Sequence, residues 1–419
     1  MKAGRIRAVS VRTPEGLSGE LAHETKYAFA YADTARHNQS RAISLTMPVR
    51  TASYDSGALH PIFQMNLPEG YLRRFLAERL MRERLRVNDM LLLAIQGQHG
   101  VGRLSYDSGI RMKHDQVDSL EEILHWKGPS SLFSELAQRH LLNTTLSGVQ
   151  PKVIVNQTVQ IDRKTTLVRP ELIVKTGGEE FPNLAFNEFV CMSIARESSL
   201  PVPEFWLSDD HQLFVCRRFD YQGEKRHGME DFLTLMGHTE SERQARPARY
   251  QGSYEVAGKV LELYGCDGEK QRFFEYVALA CLLGNGDAHL KNFALMYTDT
   301  GTAPWLSPLY DQVCTTVYMG QQAGMALKIG KERSFPTRTR LLQFGKSLGL
   351  SIASVSQSIE RLSDKAADFV QRFTQWDRFP ALKEHLETNL SHAAALKQGM
   401  IGYRSSLSRE KKRKYPSKH

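Results

Sequence analysis

The run LLGNGDAHLKNFALMY, Leu282 to Tyr297, places two glycines, a carboxylate, a histidine, a lysine and an asparagine between a helix-like apolar stretch and a strand-like one. That mixture suits phosphoryl transfer. Such chemistry needs a carboxylate to orient the attacking hydroxyl, oxygen ligands for Mg²⁺, a cation on the phosphates and a backbone-lined loop over them. Asp287 and Asn292 stand at the D-x-x-x-x-N spacing that joins a catalytic aspartate to a metal-binding asparagine. Gly284 and Gly286 let the chain leave the helix tightly and hold Asp287 at a loop surface. His289 can orient the loop by hydrogen bonding, and a lone histidine gives no support for metal ligation. Lys291 either neutralises transferred phosphate or is simply solvated.

The following segment, FALMYTDTGTAPWLSPLYD, reads as a strand, a glycine-containing turn and a returning strand that ends in Asp311. A hairpin brings its ends together, so Asn292 and Asp311 can ligate one ion; the plainer alternative has Asp311 capping a turn. Upstream, Lys175 ends the apolar strand ELIVK, and Glu188 follows on a helix. Their ion pair would aim an ammonium at nucleotide phosphates, although strand-ending lysines and helical glutamates are each common. In NTTLSGVQPKVIV, Gly148 among small hydroxyl residues can set backbone N–H groups over phosphates, but the stretch is neither a G-x-G-x-x-G nor a Walker A loop.

Stepping outward, residues 1–55 alternate short β-like runs with polar turns, and IRAVSVRT and AISLTMPV are the clearest strands. Leu72, Phe75, Leu76 and Leu80 then recur at helical spacing after Pro68-Glu69-Gly70, and a second helix follows Asn88. A polar stretch marks a sub-domain boundary near residues 110–130. PKVIVN, TVQID and TLVRPELIVKTGG are strands, NLAFNEFVCMSIARES is an amphipathic helix, and EFWLSDDHQLFVCRRFD is a hairpin turned at Asp209-Asp210. EKQRFFEYVALACLLG is continuous enough in apolar residues to be a central buried helix. A β-rich half before an α-rich half predicts an α+β protein of two lobes with a cleft between them.

The chain has 419 residues, 41% hydrophobic and 24% charged, which is globular composition with room for two or three domains. It contains no run approaching the roughly 20 apolar residues of a membrane span, and its start lacks the apolar core of a secretory signal. It reads as cytoplasmic, with no membrane partner. Cys191, Cys216, Cys266, Cys281 and Cys314 are scattered and show neither disulfide nor zinc spacing, so they read as core thiols. Part of the formal charge of +9 sits in the tail SREKKRKYPSKH, which reads as a solvated, disordered end or as an arm for nucleic acid or an acidic protein.

Taken in order, TLSGVQPK (145–152), LIVK (172–175), NLAFNE (183–188), CRRFD (216–220), MEDFLTLMG (229–237), NGDAHLKNFAL (285–295), LSPLYD (306–311) and MALKIG (325–330) resemble the HipA-like serine/threonine kinases, toxins of bacterial HipBA-type toxin-antitoxin systems. FQMNLPEGYLRRFLA and GQHGVGRL resemble that family's N-terminal sub-domain. The resemblance implies a two-lobed protein-kinase-like fold. Its expected parts are an N-terminal sub-domain over 1–125, a nucleotide-binding part over 126–220, a helical lobe over 221–405 and a basic tail over 406–419. It implies Asp287 as the catalytic aspartate, Asn292 and Asp311 as Mg²⁺ ligands, and Lys175 as the ATP-phosphate lysine. The backbone around Arg217, Arg218 and Phe219 falls in the linker that touches adenine. Thr145 and Ser147 match positions where family members carry an autophosphorylated hydroxyl; phosphate there adds about −1.5 to −2 charge in a site that must hold ATP. Threonine, with a further Thr144, stands where serine is more usual. The implied partners are a small helix-turn-helix antitoxin, DNA reached through it, and a protein substrate such as an aminoacyl-tRNA synthetase.

Two other readings use the same residues. Small-molecule kinases of the aminoglycoside or choline type also carry a G-D-x-x-x-x-N loop and a later metal-binding aspartate, but the N-terminal sub-domain and SGVQPK argue against them. A catalytically silent fold that sequesters an antitoxin or DNA is disfavoured because every catalytic position is filled.

Overall fold

The computed structural model describes residues 6–82, 87–97, 99–109, 116–127, 131–140, 150–160, 166–223, 225–239, 246–319 and 324–391. The first unit is an antiparallel sheet of β1 (Ala8–Thr13), β2 (Gly16–His23), β3 (Tyr27–Tyr31), β4 (Tyr54–Ser56) and β5 (Ser105–Asp107), in the order β4-β3-β2-β1-β5. Val9 and Val11 of β1 alternate inward, as the period-2 pattern requires. They pack on α1 (Pro61–Met65), α2 (Gly70–Arg82) and α3 (Asp89–Gln96) in one apolar core. Asn88 caps α3 by accepting the Leu91 N–H at 2.9 Å, as its position before the apolar run predicts.

AISLTMPV is not a strand. It forms a turn closed by one bridge between Ser44 and Met47, with Ile43 and Met47 buried. Its donors turn to a carboxylate instead of a neighbouring strand: Leu45 N–H and Ser44 Oγ–H donate to Glu230 at 2.8 and 2.7 Å. Burial raises the Glu230 pKa against these bonds, and the Tyr297 hydroxyl adds another at 2.6 Å.

Next come the short α4 (Leu120–Leu124) and α5 (Leu132–His140), which share an apolar cluster with a second sheet. That sheet contains β6 (Lys152–Gln160), β7 (Thr166–Thr176), β8 (Phe205–Leu207) and β9 (Leu213–Arg217), ordered β6-β7-β9-β8 with every pair antiparallel. Residues 152–156 of PKVIVN and 158–160 of TVQID, read as separate strands above, lie on the single strand β6, whose register shifts between Val155 and Asn156. The helix α6 (Leu184–Glu197) connects β7 to the β8–β9 hairpin and is almost wholly buried through its centre. A small hairpin follows, β10 (Tyr221–Gln222) and β11 (Lys225–Arg226).

The remaining half is mainly helical. It holds α7 (Phe232–Leu235), α8 (Tyr254–Leu263), α9 (Lys270–Leu283), α10 (Thr316–Met319), α11 (Arg338–Ser347), α12 (Ile352–Arg372) and a helix over 380–391. Its one small sheet joins β12 (Gly228–Asp231), β13 (Ala294–Tyr297) and β14 (Trp305–Leu306). As its all-round apolarity predicts, α9 runs through the largest core, with Phe273, Phe274, Val277 and Leu279 fully buried. The fold is α+β, with a sheet-rich first half and a helical second half. All five cysteines are free, and all but Cys281 are buried. Among the described residues no helix is long and apolar enough to cross a membrane. The tail at 406–419 lies outside the described residues.

A buried ion pair joins the first unit to the end of the second sheet. Arg218 donates from Nε and Nη2 to Asp220 at 3.0 and 2.6 Å, and its remaining donors reach the His99 and Gly100 carbonyls at 3.1 and 2.6 Å. Asp220 in turn accepts the Gly102 N–H at 2.8 Å. The stretch GQHGVGRL is thus gripped by two side chains from CRRFD.

Candidate active site

The helix α9 ends at Gly284, whose φ of 71° closes the last turn in the left-handed conformation. A side chain there would also meet Asn389 and Thr316, so both backbone angle and space call for glycine. The chain then turns at once, and the Asp287 N–H donates to Asn285 Oδ1 at 3.0 Å, fixing the aspartate's backbone. Asp287 opens into a cleft of about 800 Å³ that lies among the second sheet, the loop after α9 and the β14–α10 segment. Tyr250 donates its hydroxyl to Asp287 Oδ1 at 2.7 Å. Among the described residues Oδ2 has no such donor, and Asp287 lines the cleft. The Asp287 carboxylate is exposed to the cleft yet walled by protein. That loss of bulk water, with Asp311 nearby, raises its pKa against the pull of Tyr250 and Arg249.

The β13–β14 hairpin does what its turn predicts. It returns the chain so that Asn292 Nδ2 donates to Asp311 Oδ2 at 3.2 Å. Asn292 is itself oriented because its Oδ1 accepts the His289 N–H at 2.9 Å. Asp311 has a φ of 54°, an uncommon conformation for a residue with a side chain. Its Oδ1 accepts from Lys175, whose ammonium also donates to Glu188 Oε1 at 2.5 Å. The β7 strand end and α6 therefore meet the hairpin at one lysine. Burial alone would raise the Asp311 pKa, but Lys175 and Lys152 hold it well below the ordinary carboxylate range. Burial likewise opposes the Lys175 charge, and the two carboxylates prevail and raise its pKa. The hard oxygens here are the two of Asp311, with Glu188 Oε2 buried and unpartnered among the described residues, and Asn292 would add its Oδ1 only on turning its amide away from the His289 N–H. Such a set fits Mg²⁺ rather than a soft metal.

His289 is buried, and its pKa falls to about 3 because burial is joined by Arg249 and Lys291. The imidazole is therefore neutral and packs edge-on to Tyr250, ring centroids 5.1 Å apart. Lys291 is also buried and donates to Glu69 Oε1 at 2.6 Å. Arg217 pairs with Glu204 and Glu171 at 2.6 and 3.1 Å, and the Phe219 ring packs on Tyr310 with centroids 5.6 Å apart. The backbone N–H groups of Arg217 and Arg218 donate to the Glu204 and Glu171 carbonyls, both at 2.8 Å. Arg217, Arg218 and Phe219 all line the cleft. Thr145, Ser147 and Gly148 lie outside the described residues.

Three neighbours escaped sequence reasoning. Lys152, opposite Lys175 in the β6–β7 register, is a second buried cation on the cleft wall. Its place in SGVQPK was visible, but only strand pairing sets it beside Lys175. Tyr250 and Glu69 reach the loop from 37 and 222 positions away, and no spacing signals such contacts.

With the geometry in view, comparison with known proteins places the chain. The HipA-like C-terminal domain model matches residues 144–371 and the HipA N-terminal domain model matches residues 9–107. The chain belongs to the HipA-like family. Its relatives include the Sinorhizobium fredii protein named "Putative kinase Y4dM", 27% identical over 75% of each chain. A second from that organism, "Putative kinase Y4mE", is 26% identical over 82% of this chain and 86% of its own. Among solved structures, HipA of the Shewanella oneidensis toxin-antitoxin system, determined with HipB and operator DNA, superposes with a TM-score of 0.64. That match covers 92% of this chain and 96% of the other at 18% identity, and it shows a shared fold.

Proposed function

We propose that the protein is an ATP- and Mg²⁺-dependent serine/threonine protein kinase and the toxin of a bacterial toxin-antitoxin pair. The observation that carries this reading is the convergence on one cleft of Asp287, held by Tyr250 and Asn285, with the hydrogen-bonded chain of Asn292, Asp311 and Lys175. Asp287 Oδ2 is free to accept a hydrogen bond from an acceptor hydroxyl, which holds that oxygen in line for transfer. Asn292 and Asp311 would hold Mg²⁺, and when bound the ion neutralises charge on the phosphates. Lys175, anchored by Glu188, and the adjacent Lys152 present positive charge for the nucleotide's phosphates. The linker carbonyls at 217–219 would meet the base. Neutral His289 cannot repel a metal and serves to brace the loop.

Family membership and the relatives' names support kinase chemistry. The HipA–HipB–DNA complex of the Shewanella neighbour supports a small helix-turn-helix antitoxin as partner, with DNA reached through it. A translation component such as an aminoacyl-tRNA synthetase is the proposed substrate, in the cytoplasm. Thr145 or Ser147 is the proposed autophosphorylation site, where added charge would expel the loop from the cleft. The test is intact-mass and phosphopeptide mass spectrometry of the protein and its Asp287→Gln variant after incubation with ATP and Mg²⁺. Phosphate on Thr145 or Ser147 in the wild type alone is expected. If the wild type neither takes up phosphate nor transfers it to any protein of a bacterial extract, the reading is wrong.

A further inference from the structure

We infer that Glu69 is a positioning residue by which the N-terminal sub-domain holds the catalytic loop in working geometry; this rests on the kinase reading above. Glu69 sits in the turn between α1 and α2, on the far side of the molecule's sequence from the reacting groups. Its two carboxylate oxygens are divided between two segments: Oε1 accepts from Lys291 at 2.6 Å and Oε2 from Arg249 at 3.1 Å. Each of those residues directly precedes a group at the cleft. Arg249 comes before Tyr250, which bonds Asp287, and Lys291 comes before Asn292, which bonds Asp311. One carboxylate thereby ties together the turn that orients the aspartate and the turn that presents the asparagine.

The surroundings make the tie hard to replace. The Lys291 side chain is 6% exposed, and among the described residues Glu69 supplies its one ion pair. Removing the Glu69 charge leaves a buried ammonium without its counter-ion, which strongly destabilises the local arrangement. The ammonium is then drawn toward the cleft or toward buried Asp231, dragging the chain that bears Asn292. Displacement of reacting groups by about 1 Å costs on the order of 100-fold in rate. Lys175, Lys152 and the 217–219 linker lie on other elements, so nucleotide affinity is largely spared. A phosphate-binding lysine would fail differently, because its loss removes a contact to ATP itself.

The experiment compares full-length wild type, Glu69→Gln and Glu69→Asp. It measures kcat and KM for ATP in phosphoryl transfer, and amide hydrogen exchange in peptides spanning 246–251 and 287–293. In Glu69→Gln we expect kcat to fall by about 10- to 100-fold with KM for ATP changed less than about threefold. Exchange should rise in both segments together. Glu69→Asp keeps the charge and should recover part of kcat, and it keeps the test informative if the glutamine variant does not fold. Unchanged exchange in both segments, or a loss carried wholly by KM, overturns the inference, as does an unchanged kcat. A wild type without transferase activity would defeat the kinase reading, and the exchange data would then decide the tether by themselves.

Discussion

Replacing Tyr250 with phenylalanine deletes a single hydroxyl and leaves a ring of the same shape against His289. The lost bond is the 2.7 Å donation to Asp287 Oδ1. A hydrogen bond to an ionised group is worth roughly 1.5–3 kcal/mol, and one pKa unit corresponds to about 1.4 kcal/mol, so the Asp287 pKa should rise by about one to two units. The sign follows from the local balance: burial and Asp311 already raise this pKa, whereas Tyr250 and Arg249 oppose them. Removing Tyr250 removes an opposing influence. Because Asp287 acts ionised, activity is lost as pH falls through its pKa, and in Tyr250→Phe that acid limb should move to higher pH by about one to two units. The assay is the pH dependence of kcat/KM for phosphoryl transfer in the two proteins. The loss should be largest at low pH and shrink toward the alkaline plateau. An acid limb that stays in place or moves down, or an equal loss at every pH, would refute the assigned role of Tyr250.

Lys175→Met and Asp311→Asn should each lower phosphoryl transfer by at least about 100-fold, since the first removes positive charge proposed for the nucleotide's phosphates and the second a proposed Mg²⁺ ligand; radiolabel transfer from ATP reads this directly. Arg218→Met should cost roughly 3–5 kcal/mol, because it leaves buried Asp220 uncompensated, and Arg218→Met/Asp220→Asn should be less damaged than the single variant. Denaturant midpoints decide that order, and equal midpoints would rule out the unpaired charge as the cause. The Glu69 pKa is about 2 against 4.5 for a free glutamate: burial would raise it, and Lys291 and Arg249 outweigh burial. Its stabilisation of roughly 3 kcal/mol is therefore fully present above pH 4.5 and lost as pH falls toward about 2. Acid titration of stability should be shallower in Glu69→Gln across that window.

What could be read from sequence was whatever is local. The unbroken apolarity of α9, the Asn88 cap and the Asp209-Asp210 turn each follow from neighbours in the chain, and each is where it was expected. The hairpin after Asn292 is a longer inference, and it succeeds because a turn of small residues fixes where both ends must go. AISLTMPV misled because its alternation is that of a strand, whereas its donors serve the buried carboxylate of Glu230 from a distant part of the chain. Tyr250, Lys152 and Glu69 were missed for the same reason. Their roles depend on pairing between strands or between halves, and one sequence carries no trace of who meets whom.

The buried charges that cross between the halves bear on how such a chain can be inherited. Glu230 spends its oxygens on residues 44 and 45, Arg218 and Asp220 close around residues 99–102, and Lys291 ends on Glu69. A gene that kept only the helical half and the second sheet would leave Glu230 without residues 44 and 45, Lys291 without Glu69, and the Arg218–Asp220 pair without the backbone of 99–102 that completes its hydrogen bonds. The two halves are therefore not interchangeable cassettes. A swap of the N-terminal part between relatives should succeed only where the donor brings an acid at 69 and an equivalent turn at 44–45, and a free-standing second half should have neutral or re-paired residues at 230 and 291.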